Sequence, residues 1–305
     1  MTDTTARPEI IAGIEISSSR IVAVGIDRGG NVVEKLETAR AGGPEASEQI
    51  AEFAREAAGR FGVTRLGVAV PGLVSRETGS VAFSAAMPEN IAVDFISPLR
   101  TSGIEAVVEN DANAAAFAEF TLGAGRGNRN LFYATIGAGV GGAFILDGSI
   151  WRGAAGFAGE FGYVAINSDG MRLEDVASSA NIVRRTRSRF NRDSTSSLSR
   201  LSEEEIGLRD IVAAADDGDD FAKLMLERTG MYIGTAIASV INLMNIERIV
   251  VGGEIMHARH FVIDAIVNRA RELSFTPSFA STAIVAGELD DAAAAIGAAL
   301  LAVEV

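Results

Sequence analysis

The sequence predicts an α/β protein with mixed β-sheets, and two similar strand arrangements are the main reason. In the first, an apolar strand at 10–16 turns at residues 17–19 and returns as 21–26. In the second, an apolar strand ends in glycines that begin at Gly137 and returns through 143–146. In both arrangements a further turn follows ten residues after the first. Because strands and helices alternate after each arrangement, and 305 residues suit two domains, we expect two similarly built lobes.

Hydrophobic spacing and turn residues predict the remaining elements of the first half. These are a helix at 44–60 with Ser47 as its N-cap, strands at 66–70 and 106–108, an alanine-rich helix at 112–121, and a glycine linker at 123–127.

The second half follows the same logic. We predict a helix at 173–189, a mobile loop rich in serine and arginine at 191–202, one long or two abutting apolar helices at 221–244, strands at 248–251 and 282–286, and helices at 260–272 and 290–303.

The composition of the chain excludes several classes of protein and of binding site. A net charge of −13 argues against a nucleic-acid surface, and the absence of cysteine excludes disulfides and thiolate metal sites. No apolar stretch has the length of a membrane span, and the first eight residues lack the apolar core of a signal peptide. We therefore expect a cytoplasmic protein without a nucleic-acid or membrane partner.

Asn110 and Asp111 stand where a buried strand passes into a helix, and the ends of such strands collect ligand groups. Asp111 is a candidate general base that accepts a proton from a substrate hydroxyl. The alternative, favoured on these residues alone, is that Asn110 or Asp111 is a helix N-cap. The two roles are compatible, because a helix N-terminus stabilises a carboxylate.

Two further carboxylates lie near chain turns. Glu160 is flanked by glycines, and Glu174 stands at the start of a predicted helix. Since each carboxylate accepts two hydroxyl hydrogen bonds, the pair suits a polyhydroxylated ligand. Taken singly, each also fits an ordinary surface charge, and for Glu174 alone that is the favoured interpretation.

The glycines after the second apolar strand have the spacing Gly137-x-Gly139-x-x-Gly142 of a dinucleotide fingerprint, but the context excludes that motif. The fingerprint opens a helix, whereas here a returning strand follows. The glycines instead cap a β-hairpin whose backbone N–H groups are able to approach an anion. Two such hairpins facing each other would suit a phosphate chain, although two ordinary hairpins would give the same pattern.

The chain resembles the ROK family of sugar kinases and sugar-responsive repressors, within the hexokinase–actin–Hsp70 fold group. The resemblance runs from about residue 10 to 303. It is carried by four motifs and a C-terminal helix, which are ENDANAAA at 109–116, IGAGVGG at 136–142, WRGAAGFAGEFG at 151–162, VGG at 251–253 and the segment 290–301.

The resemblance implies two ribonuclease-H-like lobes with a central cleft. The N-terminal lobe would comprise 1–122 with the C-terminal helix 290–305, and the other lobe 123–289. It also implies a homodimer and an aldohexose or N-acetylhexosamine substrate with Asp111 as the base. The implied sugar-binding residues are Gly72, Asn90, Asn110, Asp111, Glu160, Tyr163 and Glu174.

The same resemblance implies ATP with Mg²⁺ on the two hairpins, and Gly252 and Gly253 beside the adenosine. The phosphate-binding residues it implies are Glu15, Ser17, Ser18, Ser19, Arg20, Gly137, Ala138 and Gly139.

The chain departs from the family pattern at both phosphate turns and at the zinc motif. Residues 15–20 read Glu-Ile-Ser-Ser-Ser-Arg where the family has Asp-x-Gly-Gly-Thr-Lys, and Ala138 replaces a threonine. The serines would resist a positive φ and a close backbone approach. Tyr163 stands in place of a histidine that contacts both sugar and zinc in the family, and the cysteines are missing too. We therefore expect no zinc and no other metal held by protein side chains alone.

Three functions compete. An ATP-dependent sugar kinase is favoured by Asp111 and by the retained carboxylate of Glu15. A sugar-binding sensor or regulator with little or no kinase activity is favoured by the altered phosphate turns and by Glu254, which follows the last glycine pair as in the repressor branch. A DNA-binding repressor is disfavoured, because about nine residues precede the first strand and the chain is acidic.

Overall fold

The structure is a computed structural model that describes residues 9–42, 45–75, 78–84, 87, 94, 96–190 and 195–304. Contacts within the chain divide it into two compact units. The first unit comprises Met1–Arg126, Ile150–Ala158 and Asp291–Val305, and the second comprises Gly127–Ser149 and Gly159–Asp290. The short segment Ile150–Ala158 thus clusters with the first unit, although the sequence boundaries place it within the second lobe.

The first half opens with three consecutive strands, and helices and strands then follow in mixed order. They are β1 (Ile11–Ile16), β2 (Arg20–Ile26), β3 (Val32–Ala39), α1 (Ala46–Phe61), β4 (Arg65–Val70), β5 (Leu73–Ser75), β6 (Ser80–Phe83), α2 (Ser97–Thr101), β7 (Glu105–Asn110) and α3 (Asp111–Thr121).

Among the described residues, the second half has fewer strands and more helices than the first. Its elements are β8 (Leu131–Ile136), β9 (Val140–Leu146), β10 (Ser149–Trp151), α4 (Glu174–Ala177), α5 (Ser179–Phe190), α6 (Leu208–Asp216), α7 (Asp220–Met244), β11 (Arg248–Gly252), α8 (Arg259–Leu273), α9 (Thr276–Ala280), β12 (Ala283–Ala286) and α10 (Ala293–Val303).

Two five-stranded sheets share one strand order. The first runs β3-β2-β1-β4-β7 and the second β10-β9-β8-β11-β12. In the first, β1 is antiparallel to β2 and parallel to β4. In the second, β8 is likewise antiparallel to β9 and parallel to β11. The predicted repetition of the strand arrangement and the mixed character of the sheets are therefore confirmed.

The core of the first unit depends on the close approach of α10 to the first sheet and to α3. A Cβ added at Gly13 of β1 or Gly67 of β4 would overlap the carbonyl oxygens of Ala295 and Ala298 in α10. On the other side of the helix, a Cβ at Gly297 would overlap the carbonyl oxygen of Ala114 in α3. The backbones of the sheet, α10 and α3 therefore meet with no side chain between them.

The core of the second unit is built around α7, which is one continuous helix and not two. Asp219 caps it by accepting a hydrogen bond from the backbone N–H of Ala222 at 3.0 Å. Asn245 ends it in a left-handed conformation with a φ of 47°. The helix packs along α8, where Gly230 and Gly234 let the two backbones approach.

Two local predictions are wrong, and a third segment contains a short element that the sequence did not predict. Glu45, not Ser47, precedes the first helix, and it makes no side-chain cap. The predicted helix at 173–189 is two helices, because Ser178 adopts an extended conformation between α4 and α5. The predicted mobile loop contains a 3₁₀ helix, Ser197–Arg200. Ser196 and Ser197 anchor that helix by donating to Asp219, whereas residues 191–194 lie outside the described part of the chain.

Among the described residues, no helix is both long enough and apolar enough to cross a bilayer.

The close approach of α10 predicts a large cost for one added methyl group. We expect Gly297→Ala to lower the free energy of unfolding by about 3 kcal/mol, because the new Cβ must displace the backbone of α3. Gly59→Ala is the matched control, since Gly59 lies in α1 and its added Cβ would meet nothing within 4 Å. That change should be neutral or stabilise the protein by up to about 1 kcal/mol. Urea unfolding measures both, and equal stability of Gly297→Ala and wild type would contradict the packing.

Candidate functional site

The junction of β7 and α3 settles which residue caps the helix. Asn110 is the N-cap, because its Oδ1 accepts from the backbone N–H of Asn113 at 3.0 Å. Its Nδ2 donates to the carbonyl oxygen of Gly72 at 2.9 Å, so the carboxamide is fixed at both ends. Asp111 is the first residue of α3, and its Oδ1 accepts from the N–H of Ala112 at 2.9 Å. A carboxylate therefore lies at the N-terminus of an eleven-residue helix, where the helix dipole favours its charged form.

Gly72 has a structural requirement of its own. Its φ of +115° is one that side chains rarely adopt, and an added Cβ would overlap the carbonyl oxygen of Phe83. The carbonyl oxygen that Asn110 contacts is therefore presented by a backbone conformation that needs glycine. Asn90, the other residue predicted near it, lies outside the described residues.

Glu109, which precedes this junction in β7, is buried and forms an ion pair with the partly exposed Arg152. Arg152 donates to Oε2 of Glu109 through Nε at 3.0 Å and through Nη2 at 2.5 Å. Oε1 of Glu109 accepts from the backbone N–H of Asn110 and from Nδ2 of Asn113, both at 3.0 Å. Only 4% of Glu109 is exposed, and four donors satisfy its charge.

Glu15 is a second carboxyl in the first unit with an unusual environment. Burial and the negative charge of Asp111 raise the pKa of Glu15 to about 7, and the positive charge of Arg20 opposes the rise. One oxygen, Oε2, is buried without a hydrogen-bond partner. Arg20 lies within 3.5 Å of Glu37 and 3.9 Å of Asp291. Glu15 thus shares its surroundings with other acidic groups and retains an oxygen able to bind a further group.

The serine turn between β1 and β2 is closed by its first hydroxyl. Oγ of Ser17 donates to the carbonyl oxygen of Arg20 at 2.9 Å and accepts from its N–H at 3.1 Å. Ser18 and Ser19 are exposed at the tip. None of the three has a positive φ, so the turn forms without the conformation that the sequence argument expected serine to resist.

The glycine hairpin of the second unit has the corresponding shape. Ala138 and Gly139 are exposed at its tip, and the N–H of Gly137 donates to the carbonyl oxygen of Gly139 at 2.9 Å. Oε2 of Glu174 accepts from the N–H of Val140 at 2.9 Å. A residue predicted to bind substrate therefore also supports the hairpin.

Glu160 lies close to Glu174 in the same unit. Burial and the negative charge of Glu174 raise the pKa of Glu160 above its ordinary value. Gly159 precedes it with a φ of +99°, and a Cβ there would overlap the carbonyl oxygen of Gly142 in β9. The 3₁₀ helix Phe161–Tyr163 follows. Glycine contacts with β9 therefore hold Glu160 beside the hairpin that Glu174 supports.

Tyr163 is half exposed and stacks on a cation. The guanidinium carbon of Arg172 lies 4.4 Å from the centre of its ring, and the segment between them is a short hairpin with an isolated bridge between Ala165 and Arg172. In the described part of the chain, no cluster of three or more histidine, aspartate or glutamate side chains has the arrangement of a metal site.

Gly252 and Gly253 end β11 beside β8. A Cβ at Gly252 would overlap the hydroxyl of Tyr133, and Gly253 has a φ of +86°. Glu254 follows, and its Oε2 accepts from Oγ of Ser179 at 2.6 Å. The backbone N–H of Ser179 donates to the carbonyl oxygen of Gly137 at 2.8 Å. This glycine pair and the hairpin tip therefore belong to one connected set of residues.

Sequence reasoning gave no role to Glu109, Arg152 or Ser179. Glu109 and Arg152 both lie in motifs that carry the family resemblance, but they are 43 positions apart. A glutamate in a strand and an arginine in a glycine-rich loop have no spacing that predicts their contact. The one available signal is that each is a charged residue directly after an apolar one, Val108 before Glu109 and Trp151 before Arg152.

The family follows from a comparison with known proteins, since the ROK family model matches residues 11–305. The chain belongs to the ROK family. A glucokinase from Thermotoga maritima is 28% identical over 95% of this chain and 96% of its own length. A xylose repressor from Caldicellulosiruptor bescii is 26% identical over 77% of this chain and 61% of the repressor.

The fold is that of solved ROK sugar kinases. The structure of a ROK family glucokinase from Streptomyces griseus in complex with glucose and AMPPNP matches with a TM-score of 0.88. It is 26% identical and covers 97% of this chain and 100% of that chain. The predicted actin/hexokinase-type α/β fold is confirmed.

The raised pKa of Glu15 predicts a pH-dependent stability. Between its ordinary value of 4.5 and about 7, the folded protein keeps a proton that the unfolded chain releases. Stability should therefore fall across this window as the pH rises, by up to about 3 kcal/mol, and level off above it. Glu15→Gln should remove this part of the fall in urea unfolding at pH ~5 and pH ~8.

Glu37→Gln is the control in the same sheet, on β3. Glu37 is exposed, and its hydrogen bond from Lys35 holds its pKa below the ordinary value, so this variant should retain the wild-type fall. A Glu15→Gln variant whose pH dependence matches wild type would contradict the assignment.

Proposed function

We propose that this protein is an ATP-dependent sugar kinase that phosphorylates a hydroxyl of an aldohexose or an N-acetylhexosamine. The observation that carries the proposal is the junction of β7 and α3, where the fixed carboxamide of Asn110 precedes the carboxylate of Asp111. Membership of the ROK family and its glucokinase relatives support the same assignment.

Asp111 is the proposed general base. The N-terminus of α3 stabilises its carboxylate and so makes it a weak base. Phosphoryl transfer tolerates a weak base, because its transition state is loose and depends more on positioning and electrostatics than on proton removal. The role of Asp111 is then to orient the hydroxyl of the sugar and to receive its proton as the new bond forms.

Asn110, Glu160 and Glu174 are the proposed partners of the other hydroxyls. The carboxamide of Asn110 uses one donor and one acceptor within the protein, so one N–H and one lone pair remain for a ligand. Glu174 uses Oε2 for the hairpin. Gly72 and Tyr163 complete the proposed set together with Asn90. Mixed donors and acceptors of this kind suit a polyhydroxylated ring.

Backbone and carboxylate groups fit ATP with Mg²⁺. The exposed tips at Ser18, Ser19, Ala138 and Gly139 present main chain to a phosphate group. The buried, unpartnered Oε2 of Glu15 is an oxygen ligand of the kind that Mg²⁺ prefers. When bound, the metal would neutralise phosphate charge. In this proposal Glu15 holds the cation, Ser17 closes its turn, Arg20 contributes positive charge, and Gly137, Gly252 and Gly253 complete the nucleotide set.

One observation favours a sugar-binding regulator as the second candidate. The hydroxyl of Ser17 is turned onto the backbone of its own turn, and Ala138 has no hydroxyl to offer a phosphate. Repressors are also among the relatives. Either function is proposed for a cytoplasmic homodimer, and the oligomer is checked by light scattering of the purified protein.

An ADP-release assay distinguishes the two candidates. With Mg-ATP and a panel of aldohexoses and N-acetylhexosamines, we expect turnover on at least one sugar. Asp111→Asn should lower kcat by about 10²-fold or more, because the base is lost, while sugar affinity by calorimetry stays largely unchanged. Asp169→Asn is a control on an exposed loop and should behave as wild type. Sugar binding without turnover on any sugar would favour the regulator instead.

A further inference from the structure

The backbone N–H of Asn110 donates to Glu109, a buried carboxylate that the proposed reaction does not use. Glu109 precedes Asn110 in β7, and Arg152 lies in the segment Ile150–Ala158 of the same unit. We propose that Arg152 is a positioning residue, which fixes Asn110 through Glu109 and thereby sets the affinity for sugar. The inference rests on the proposed function in one respect, namely that Asn110 contacts the sugar.

The connection runs through two oxygens of one carboxylate. Oε2 of Glu109 receives two hydrogen bonds from the guanidinium of Arg152, through Nε at 3.0 Å and Nη2 at 2.5 Å. Oε1 receives the backbone N–H of Asn110 and Nδ2 of Asn113, each at 3.0 Å. The N–H of Asn113 in turn donates to Oδ1 of Asn110 at 3.0 Å. Rotation of the Glu109 carboxylate would therefore disturb both the backbone and the side chain of Asn110.

Because the Glu109 carboxylate is buried, its stability depends on the positive charge of Arg152. The side chain of Glu109 is 5% exposed and that of Arg152 is 21% exposed. A carboxylate buried to this degree is costly unless charged donors satisfy it, and removing one partner leaves the other uncompensated. The two parallel donors of a guanidinium also fix the plane of the carboxylate, which a single ammonium does not.

Arg152 is itself held firmly enough to serve as a support. Its Nη1 donates to the carbonyl oxygen of Ile150 at 3.3 Å, and its own carbonyl oxygen accepts from the N–H of Ala158 at 2.9 Å. Gly153 begins the intervening loop with a φ of +71°. The closed loop 152–158 thus presents the arginine to β7, and the glycine-rich composition of this motif has a structural reason.

Arg152→Lys tests the proposal, because it keeps the charge and removes the paired donors. We expect the dissociation constant for the sugar that wild type binds to rise about tenfold in calorimetry, while that for AMPPNP changes less than twofold. The effect must pass through Asn110. In an Asn110→Ala background, Arg152→Lys should therefore change sugar affinity by less than twofold.

Arg60→Lys is the matched control. Arg60 pairs with Glu34 in the same unit, but its side chain is 55% exposed, so this variant should bind sugar as wild type does. The inference is overturned if Arg152→Lys weakens sugar binding equally in both backgrounds, or weakens AMPPNP binding as much as sugar binding. Those results would indicate a general loss of structure.

A second measurement needs no ligand and separates this inference from the proposed function. We expect Arg152→Lys to shift the side-chain ¹⁵N and ¹H resonances of Asn110 and to speed exchange of its amide hydrogens. Arg60→Lys should leave them in place. If wild type binds no sugar, the proposed function fails, yet a shifted Asn110 would still support the positioning role. Unchanged Asn110 resonances in Arg152→Lys would overturn it.

Discussion

Contact between backbones, without intervening side chains, is the constraint on which the first unit depends. Gly13 and Gly67 bring the sheet against α10, and Gly297 brings α10 against α3. Because α3 begins at Asp111, the position of the proposed base follows from this stack and from the cap that Asn110 provides. A close-packed interior transmits small displacements. A substitution that displaces α10 is therefore expected to displace the start of α3 as well.

The second unit places its carboxyl groups by a related device. Gly159 and Gly162 approach the backbone of β9, which fixes the loop that carries Glu160, and Glu174 reaches the same strand through the N–H of Val140. In both units, acidic side chains are attached to positions where main chain meets main chain. Such positions have little freedom, and a binding group benefits from that rigidity because less entropy is lost when ligand binds.

The sequence predicts much of this fold. Alternating apolar runs and turn residues indicate both hairpin arrangements and the helical segment that forms α7. The errors have local causes. The break at Ser178 interrupts a helical pattern whose hydrophobic spacing continues across it, and the short hairpin of β5 and β6 has too few residues for a period to appear. Asn110 and Asp111 are found through a motif, whereas Arg152 reaches Glu109 across 43 positions, and only the folded chain reveals that contact.

The charge of the candidate groups bears on how a phosphate donor would be accommodated. Burial and the negative charges of Asp111 and Asp291 raise the pKa of Glu15, and burial and the charge of Glu174 raise the pKa of Glu160. Each unit therefore concentrates acidic groups where the ligands are proposed to bind. Arg20, the cation of the serine turn, already faces Glu37 and Asp291. The positive charge of Arg20 is therefore shared with these carboxylates, and the proposed nucleotide would be accommodated best together with a cation of its own. In the proposed function, a cation that accompanies the nucleotide would bind the unpartnered oxygen of Glu15 in place of a proton. Nucleotide binding would then offset the stability that the free protein loses as the pH rises.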